Sequence, residues 1–275
     1  MNLSVPVREL SVAVIRAEST RRRRALRRFD KELANRNYKA AHSQLKQLLN
    51  KPGGLIGFAS AKLVPKNIPE MNTQQLCMVD SILSSIKYSI NFDPLSDDEV
   101  LLAGMEDATR SDTKNSAYED HQMCLEHEAG HFLVGYLVGV IPRSYEVPSV
   151  EDITQNKFAQ GNVRFLGFEF IKEETRAKIS SQTLNKFLCV ILGGLAAEHL
   201  VFGYSELLHS DVQKLDRVLR LLCFNENEAE SLVRWAVLTS LSLLSHHQEA
   251  LSRLAEAMAS RRSIGYCIDV IESTL

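Results

Sequence analysis

The segment CLEHEAGHFLVGYLVG, residues 124–139, decides which fold and which chemistry to expect of this chain. It is apolar enough to form a buried helix, yet it carries two histidines and two glutamates. On a helix, residues four apart lie on one face, so His127 and His131 project side by side, with Glu128 next to the first. Two imidazoles at this spacing can share one Zn²⁺, and HEAGH matches the H-E-x-x-H pattern of zinc hydrolases.

Glu128 adds a candidate catalytic residue to the predicted metal site. A zinc ion lowers the pKa of a coordinated water toward about 7, and a neighbouring carboxylate can then take its proton. The alternative is a core helix in which two histidines happen to occur. Histidines inside an apolar helix need polar partners, however, and a metal ion supplies them. The pattern therefore favours a metal site with Glu128 as the general base for peptide hydrolysis.

A catalytic zinc site uses three protein ligands and keeps one position open, so a third ligand is required. No further histidine follows HEAGH at the spacing of the metzincins. Two acidic residues downstream are candidates, Glu198 in GGLAAEHL and Asp211 in LLHSDVQKLD. Asp211 could instead cap the helix that follows it. Spacing alone does not choose between the two.

The first part of the chain, 1–112, is predicted to be an N-terminal helical extension. Apolar residues recur at a helical period over 20–50, which predicts one amphipathic helix that ends at KPGG. Residues 55–72 contain two prolines and predict an irregular connector, and a second helix is predicted over 73–91. The polar stretches NFDPLSDDE and EDATRSDTKNS follow. The domain boundary is placed in the second of them, so that 113–275 forms the other domain.

The remaining residues predict a mainly α domain with a small β element. NVRFLGFEFI, residues 162–171, is the best strand candidate, because it is rich in aromatic residues and follows a glycine. As an edge strand it would bind substrate backbone by strand addition; the alternative is a packed hairpin. Helices are predicted over 116–139, 181–203, 209–223, 226–245 and 247–260, with a short one near the end.

Composition is that of an ordinary globular protein, with 45% hydrophobic and 24% charged residues and a net charge of −2. The charge is uneven, because residues 1–50 hold 12 basic against 4 acidic side chains and include RRRRALRR at 21–28. We interpret this run as the solvated face of a helix. The alternatives are a nucleic-acid or anionic-membrane patch and a targeting segment. No nucleic-acid partner is expected.

The cysteines and the apolar runs indicate in which cellular compartment the protein is expected. The five cysteines are scattered and include no C-x-x-C pair, which is typical of free thiols in a reducing compartment. No run reaches 18 apolar residues, so no transmembrane helix is predicted. Residues 1–17 combine Ser, Arg and apolar residues, which is typical of the remnant of an organelle transit peptide or of a frayed terminus.

Three ordered motifs carry a resemblance to a known family. HEAGH is followed by LGGLAAEHLVFG and then by SDVQKL. Together, over residues 118–273, they resemble the peptidase domain of FtsH-type zinc metalloproteases. Motifs of this kind in this order are more specific than a single H-E-x-x-H pattern.

The resemblance assigns roles to single residues. It implies that His127, His131 and Asp211 bind the Zn²⁺ cofactor. It implies that Glu128 is the catalytic base. It also implies that Glu198 supports the site from behind its ligands, which leaves Glu198 as the alternative third ligand.

The chain also departs from that family. It contains no G-x-x-x-x-G-K-[ST] motif for ATP, and Leu195 stands where the family has arginine. It therefore resembles the short FtsH-like proteins of plants that lack the AAA ATPase module, which implies a chloroplast location. The expected function is that of a zinc-dependent metalloendopeptidase for unfolded or exposed polypeptide segments, without ATP hydrolysis by this chain.

A function of another class remains open. A proteolytically idle relative could act as a scaffold, or as an auxiliary subunit of an AAA protease or another membrane-associated complex. The intact Glu128 argues against an idle site, because a purely structural metal has no use for a base. The sequence leaves the substrate and the oligomeric state open.

Overall fold

The computed structural model describes residues 7–49, 51–63, 72–91, 112–155, 160–168 and 179–275. Within these residues the chain forms ten helices and one antiparallel sheet of two strands. The prediction of a mainly α fold with a small β element is confirmed.

The elements occur along the chain in one order. They are α1 (Val7–Ala34), α2 (Tyr38–Leu48), α3 (Thr73–Asn91), α4 (Asp112–Leu137), β1 (Pro142–Glu146), α5 (Val150–Gln155), β2 (Asn162–Phe165), α6 (Ser181–Val201), α7 (His209–Leu221), α8 (Glu226–His246), α9 (Gln248–Ala259) and α10 (Ile264–Thr274). Apart from the first helix, the predicted helices are confirmed to within a few residues at each end.

The helix predicted over 20–50 consists of two helices, so that prediction is wrong. α1 stops before Arg36, which takes a left-handed backbone conformation with φ 57°. α2 then begins after Asn37, whose side chain accepts a hydrogen bond from the Ala40 amide. Asparagine favours such caps over helix interiors. The apolar period continues across the break, which is why periodicity alone did not reveal it.

α4 and α6 form the centre of the fold and pack closely against each other. Small residues let the two backbones approach. A Cβ added at Gly130 would lie 2.4 Å from the Gly193 carbonyl oxygen and 2.6 Å from the Ala197 Cβ. α4 ends at Leu137, and Gly139, whose φ is +79°, lets the chain turn toward β1. α8 packs on α6, and α9 packs on α4.

α6 is a largely buried helix of this core. Among the described helices it alone has the length and mean hydropathy, 1.4, that would allow it to cross a membrane. However, 78% of that apolar window is buried inside the fold. A helix that is hydrophobic on most sides is also what the centre of a folded core requires.

The small sheet pairs β1 with β2. The strand predicted over 162–171 ends at Phe165, because the chain turns at Gly167, where φ is +96°. The last residues of that predicted strand lie outside the described part of the chain. The partner strand β1 has the sequence PRSYE, in which proline and charged residues interrupt the alternation that would predict a strand.

The N-terminal helices are fixed to the C-terminal ones by buried polar contacts. Arg22 on α1 donates from Nε to Asp269 Oδ1 on α10 at 2.7 Å, and both side chains are buried. Glu272 on α10 accepts hydrogen bonds from the Gly57 amide and from the Tyr136 hydroxyl of α4. The segment after α2 is therefore held between the first helices and the centre of the fold.

Buried apolar side chains from 1–112 and 113–275 belong to one cluster. The boundary predicted between these two parts adjoins residues 92–111, which are outside the described residues, and the division into two domains stays a prediction. Within the basic run at 21–28, Arg22 is buried against Asp269, whereas the other arginines are exposed. The run is thus partly solvated and partly a structural contact.

Candidate metal centre

Three side chains from distant parts of the chain meet at one point. His127 and His131 lie on α4, and Asp211 lies in the first turn of α7. The two histidine Nε2 atoms are 2.9 Å apart. Asp211 Oδ2 is 3.0 Å from Nε2 of His127 and 2.9 Å from Nε2 of His131. All three side chains are buried, and the structure thus brings the three predicted ligands together.

Each histidine is held through its other ring nitrogen. His127 Nδ1 contacts Glu198 Oε1 at 2.5 Å, and His131 Nδ1 donates to the Val190 carbonyl oxygen at 2.7 Å. Carboxylate and carbonyl oxygens accept hydrogen bonds, so each ring carries a proton on Nδ1 and turns its Nε2 toward the centre. Metal-binding histidines are characteristically oriented by such contacts.

The centre therefore consists of three acceptor atoms. With both rings neutral in this form, the buried Asp211 Oδ2 has no hydrogen-bond donor among the described residues. Facing lone pairs repel, and an unpaired buried carboxylate is costly, so this arrangement favours binding of a metal ion or of a further proton. Ligand atoms around a tetrahedral Zn²⁺ lie roughly 3.3 Å apart when the bonds are about 2.0–2.1 Å. The observed separations of 2.9 to 3.0 Å are close to that value, and the donor set fits zinc.

The pKa values reflect the same demand for positive charge. Burial lowers the pKa of His127, but hydrogen bonding and attraction from Asp211 and Glu198 outweigh burial and raise that pKa to about 10. Burial raises the pKa of Asp211, but the two histidines outweigh it and hold that pKa well below its ordinary value. A metal ion or a proton on His127 Nε2 meets this demand, and the two compete.

Glu198, the alternative third ligand, faces a different part of the site. It is fully buried on α6, and its Oε1 contacts His127 on the side of the ring away from Asp211. Its Oε2 accepts hydrogen bonds from the amides of Glu206 and Leu207, at 2.8 and 3.3 Å, in the loop that leads into α7. One carboxylate therefore orients a histidine and fixes the loop that precedes Asp211.

Glu128 lies beside the centre with its carboxyl group against Gly161. The side chain is 3% exposed, and its Oε2 has no hydrogen-bond partner within the described ranges. A Cβ at position 161 would lie 2.6 Å from Glu128 Oε1, so glycine is needed there. Burial raises the pKa of Glu128, although His131 and His127 oppose the shift. A buried carboxyl group with a raised pKa and an uncommitted oxygen is suited to accept a proton.

Gly194 on α6 leaves the space that the histidine rings occupy. A Cβ there would lie 2.6 Å from His127 Cε1 and 2.7 Å from His131 Nε2. Glycine in a helix interior costs about 1 kcal/mol relative to alanine, so two in succession need a reason. Gly193 meets the backbone of α4, and Gly194 meets the rings. The Gly-Gly pair in an apolar helix is the sequence signal that could have revealed this contact.

A cleft of about 330 Å³ opens at the centre. Its wall includes the candidate ligands, Glu128 and the strand β2. The apolar part of the wall includes Phe165, Phe168, Phe187, Val190 and Ile191. A few polar groups that converge in a mainly apolar cleft are typical of a substrate site.

Three cationic side chains that the sequence did not single out also line the cleft, namely Arg143, Arg164 and Lys214. Lys214 Nζ contacts the second oxygen of Asp211, Oδ1, at 3.0 Å. Lys214 follows Asp211 by three residues on α7, so helical spacing could have revealed it. The position of Arg143 depends on β1, which the sequence pattern did not predict.

Comparisons with known proteins add no family to this description. No family model matches the chain, and no curated protein or solved structure matches it either. The resemblance to FtsH-type peptidases rests on the three sequence motifs, and it stays a prediction.

Proposed function

We propose that this protein is a zinc-dependent metalloendopeptidase that cleaves unfolded or exposed polypeptide segments. One observation carries the proposal. Three buried acceptor atoms, His127 Nε2, His131 Nε2 and Asp211 Oδ2, converge beside the carboxyl group of Glu128 in one cleft. A structural metal site needs only the ligands, whereas a hydrolase also needs a base and an open approach for substrate.

The roles of the residues follow from their contacts. His127, His131 and Asp211 would hold Zn²⁺, which when bound would supply a Lewis acid for the peptide carbonyl and lower the pKa of water. Glu128 accepts the proton of the attacking water at Oε2, the oxygen that no described residue engages. It then delivers that proton to the leaving amine nitrogen, which regenerates the base.

The surroundings of the centre support these roles. Glu198 and the Val190 carbonyl hold the two rings so that both Nε2 atoms face Asp211. Within the described ranges β2 pairs with β1 alone, and it lines the cleft, so we propose that an extended peptide adds along β2. A cleft of about 330 Å³ admits a few side chains and no folded domain, which restricts substrates to unfolded or exposed segments.

Metal content and cleavage, measured on the same purified protein, test the proposal. We expect one Zn²⁺ per chain and cleavage of an unfolded, fluorescently labelled protein such as casein. A chelator should abolish the cleavage, added Zn²⁺ should restore it, and no nucleotide should be needed. Zinc binding without cleavage of any unfolded substrate would instead support the idle scaffold or auxiliary subunit.

A further inference from the structure

The small sheet beside the cleft contains an irregularity that affects one side chain. Pro142 pairs with Phe165 and Ser144 pairs with Arg164, so Arg143 is an extra residue on β1. Such a bulge bends its strand and re-aims a side chain, and bulges are common next to active sites. Here Arg143 lies on the wall of the cleft.

The guanidinium group of Arg143 is held by an aromatic ring. Its central carbon lies 4.6 Å from the centre of the Tyr38 ring on α2. No described carboxylate forms an ion pair with it. Stacking of this kind positions a guanidinium and leaves its N–H groups able to bind a ligand.

Two further cations line the same cleft. Lys214 contacts Asp211, and Arg164 Nη2 lies 3.7 Å from Glu146 Oε1 across the sheet, with both of those side chains exposed. Among the described residues, the carboxylates of the cleft wall are Asp211 and Glu128, and the proposed reaction uses both. The chain has a net charge of −2, yet the described residues of the cleft wall include three cationic side chains and two carboxylates.

We infer that the cleft selects polypeptide segments with a carboxylate close to the cleaved bond, and that Arg143 binds this carboxylate. The inference rests on the proposed peptidase function and names its substrate class. Arginine binds a carboxylate through two parallel N–H···O bonds, and an arginine already held in place loses little entropy on binding. Phe165 and Phe187 on the same wall fit an apolar side chain beside the acidic group.

Binding measured without cleavage tests this inference. The protein is the zinc-loaded full chain with Glu128→Gln, and the probes are labelled peptides with Phe beside Glu, Gln or Lys. We expect the Glu peptide to bind about tenfold more tightly than the Gln peptide, because hydrogen bonds to a charged group are the stronger ones. The Lys peptide should bind most weakly, and added salt should reduce the differences.

The carboxylate can come from a side chain or from the end of the substrate chain. Each peptide is therefore made with a free and with an amidated C-terminus. A difference between Glu and Gln in the amidated set identifies a side-chain carboxylate. A difference between the free and amidated Gln peptides identifies a chain end. Either difference supports the inference, and equal affinities throughout would overturn it.

Variants assign the effect to Arg143. Arg143→Gln should remove most of the preference, and Arg143→Lys should keep part of it while testing whether the bulge tolerates substitution. The matched control is Arg253→Gln, an exposed arginine on α9 that pairs with Glu249 outside the cleft. If Arg143→Gln and Arg253→Gln lose the preference for the Glu peptide to the same extent, Arg143 is not the residue that binds the carboxylate.

Different results would overturn this inference and the proposed function. Wild-type protein that cleaves Glu and Gln peptides at equal rates would keep the peptidase function and overturn the inference. Carboxylate-selective binding without any cleavage by the wild type would overturn the peptidase function and keep the role of Arg143.

Discussion

Asp211 and Glu198 are both buried acids beside His127, and they face opposite sides of its ring. Asp211 Oδ2 lies 3.0 Å from Nε2, and Glu198 Oε1 contacts Nδ1. Since His131 also turns Nε2 toward Asp211, a metal ion held by both rings would meet Asp211 directly. Glu198 would act on that ion only by orienting His127.

We therefore expect Asp211→Ala to lower the affinity for Zn²⁺ more than Glu198→Ala does. Loss of a group that orients a ligand costs about 10–100-fold in metal affinity, and loss of a ligand costs more. Titration against a chelating dye measures both variants, with Asp216→Ala, which removes a carboxylate paired with Arg220, as a control that should bind like the wild type. The reverse order for Asp211 and Glu198 would make Glu198 the third ligand.

The raised pKa of His127 predicts how zinc binding depends on pH. Without metal, a folded pKa of about 10 against an ordinary 6.5 means that protonated His127 adds stability below about pH 6.5, which is lost as the pH rises toward 10. Zinc needs the neutral imidazole and displaces this proton. The rise in melting temperature caused by zinc should therefore be larger at pH 8 than at pH 6, in measurements with zinc or a chelator.

The exposed His246 provides the control for this pH dependence. His246→Asn should leave the zinc effect and its pH dependence unchanged, whereas His127→Asn should abolish the zinc effect. The same rise in melting temperature at both pH values would mean that no proton is displaced from the centre.

At the scale of elements, the centre depends on how closely α4 and α6 approach. Alanine normally stabilises a helix by about 1 kcal/mol relative to glycine. We expect the opposite for Gly130→Ala, because its Cβ would lie 2.4 Å from the Gly193 carbonyl oxygen and must push the helices apart. Overpacking of this kind costs about 1–3 kcal/mol. Urea unfolding of the metal-free variant measures it, and a gain in stability would contradict the close packing.

Most helices were predictable because their signals are local. Apolar residues that recur at the helical period indicate the buried faces of the helices. Capping residues such as Ser180 and Asn225 indicate where α6 and α8 begin. The break before Asn37 was missed because the apolar period runs through it. β1 was missed because its pairing with β2 is a contact between distant segments, which a local pattern does not encode.

The residues of the candidate site also differ in whether the sequence could predict them. His127, Glu128 and His131 were found from one motif, since helix geometry places residues four apart on one face. Asp211 lies far along the chain, and only the resemblance of three motifs chose it over another acid. Arg143 was beyond prediction, because its place on the cleft depends on a bulge in a strand that the sequence pattern does not reveal.

At the scale of the whole molecule, Asp269 ties the N-terminal helix to the last one. It is buried and binds Arg22 and Arg23. We expect Asp269→Ala to cost about 3–5 kcal/mol of unfolding free energy, because it leaves the charge of the buried Arg22 without the carboxylate that pairs with it. The matched control is Asp216→Ala, which removes an ion pair with the exposed Arg220 and should cost about 0.5 kcal/mol. Equal costs in urea unfolding would show that this contact does not anchor α1.

The central claim is that Glu128 is a base, and Glu128→Gln tests it most directly. Gln is nearly isosteric and Glu128 is not among the three converging ligands, so zinc content and melting temperature should match those of the wild type. Gln cannot accept the proton of water, so cleavage of an unfolded protein should fall by about 10²–10⁴-fold. Cleavage by the variant at the wild-type rate, with the same zinc content, would contradict the account.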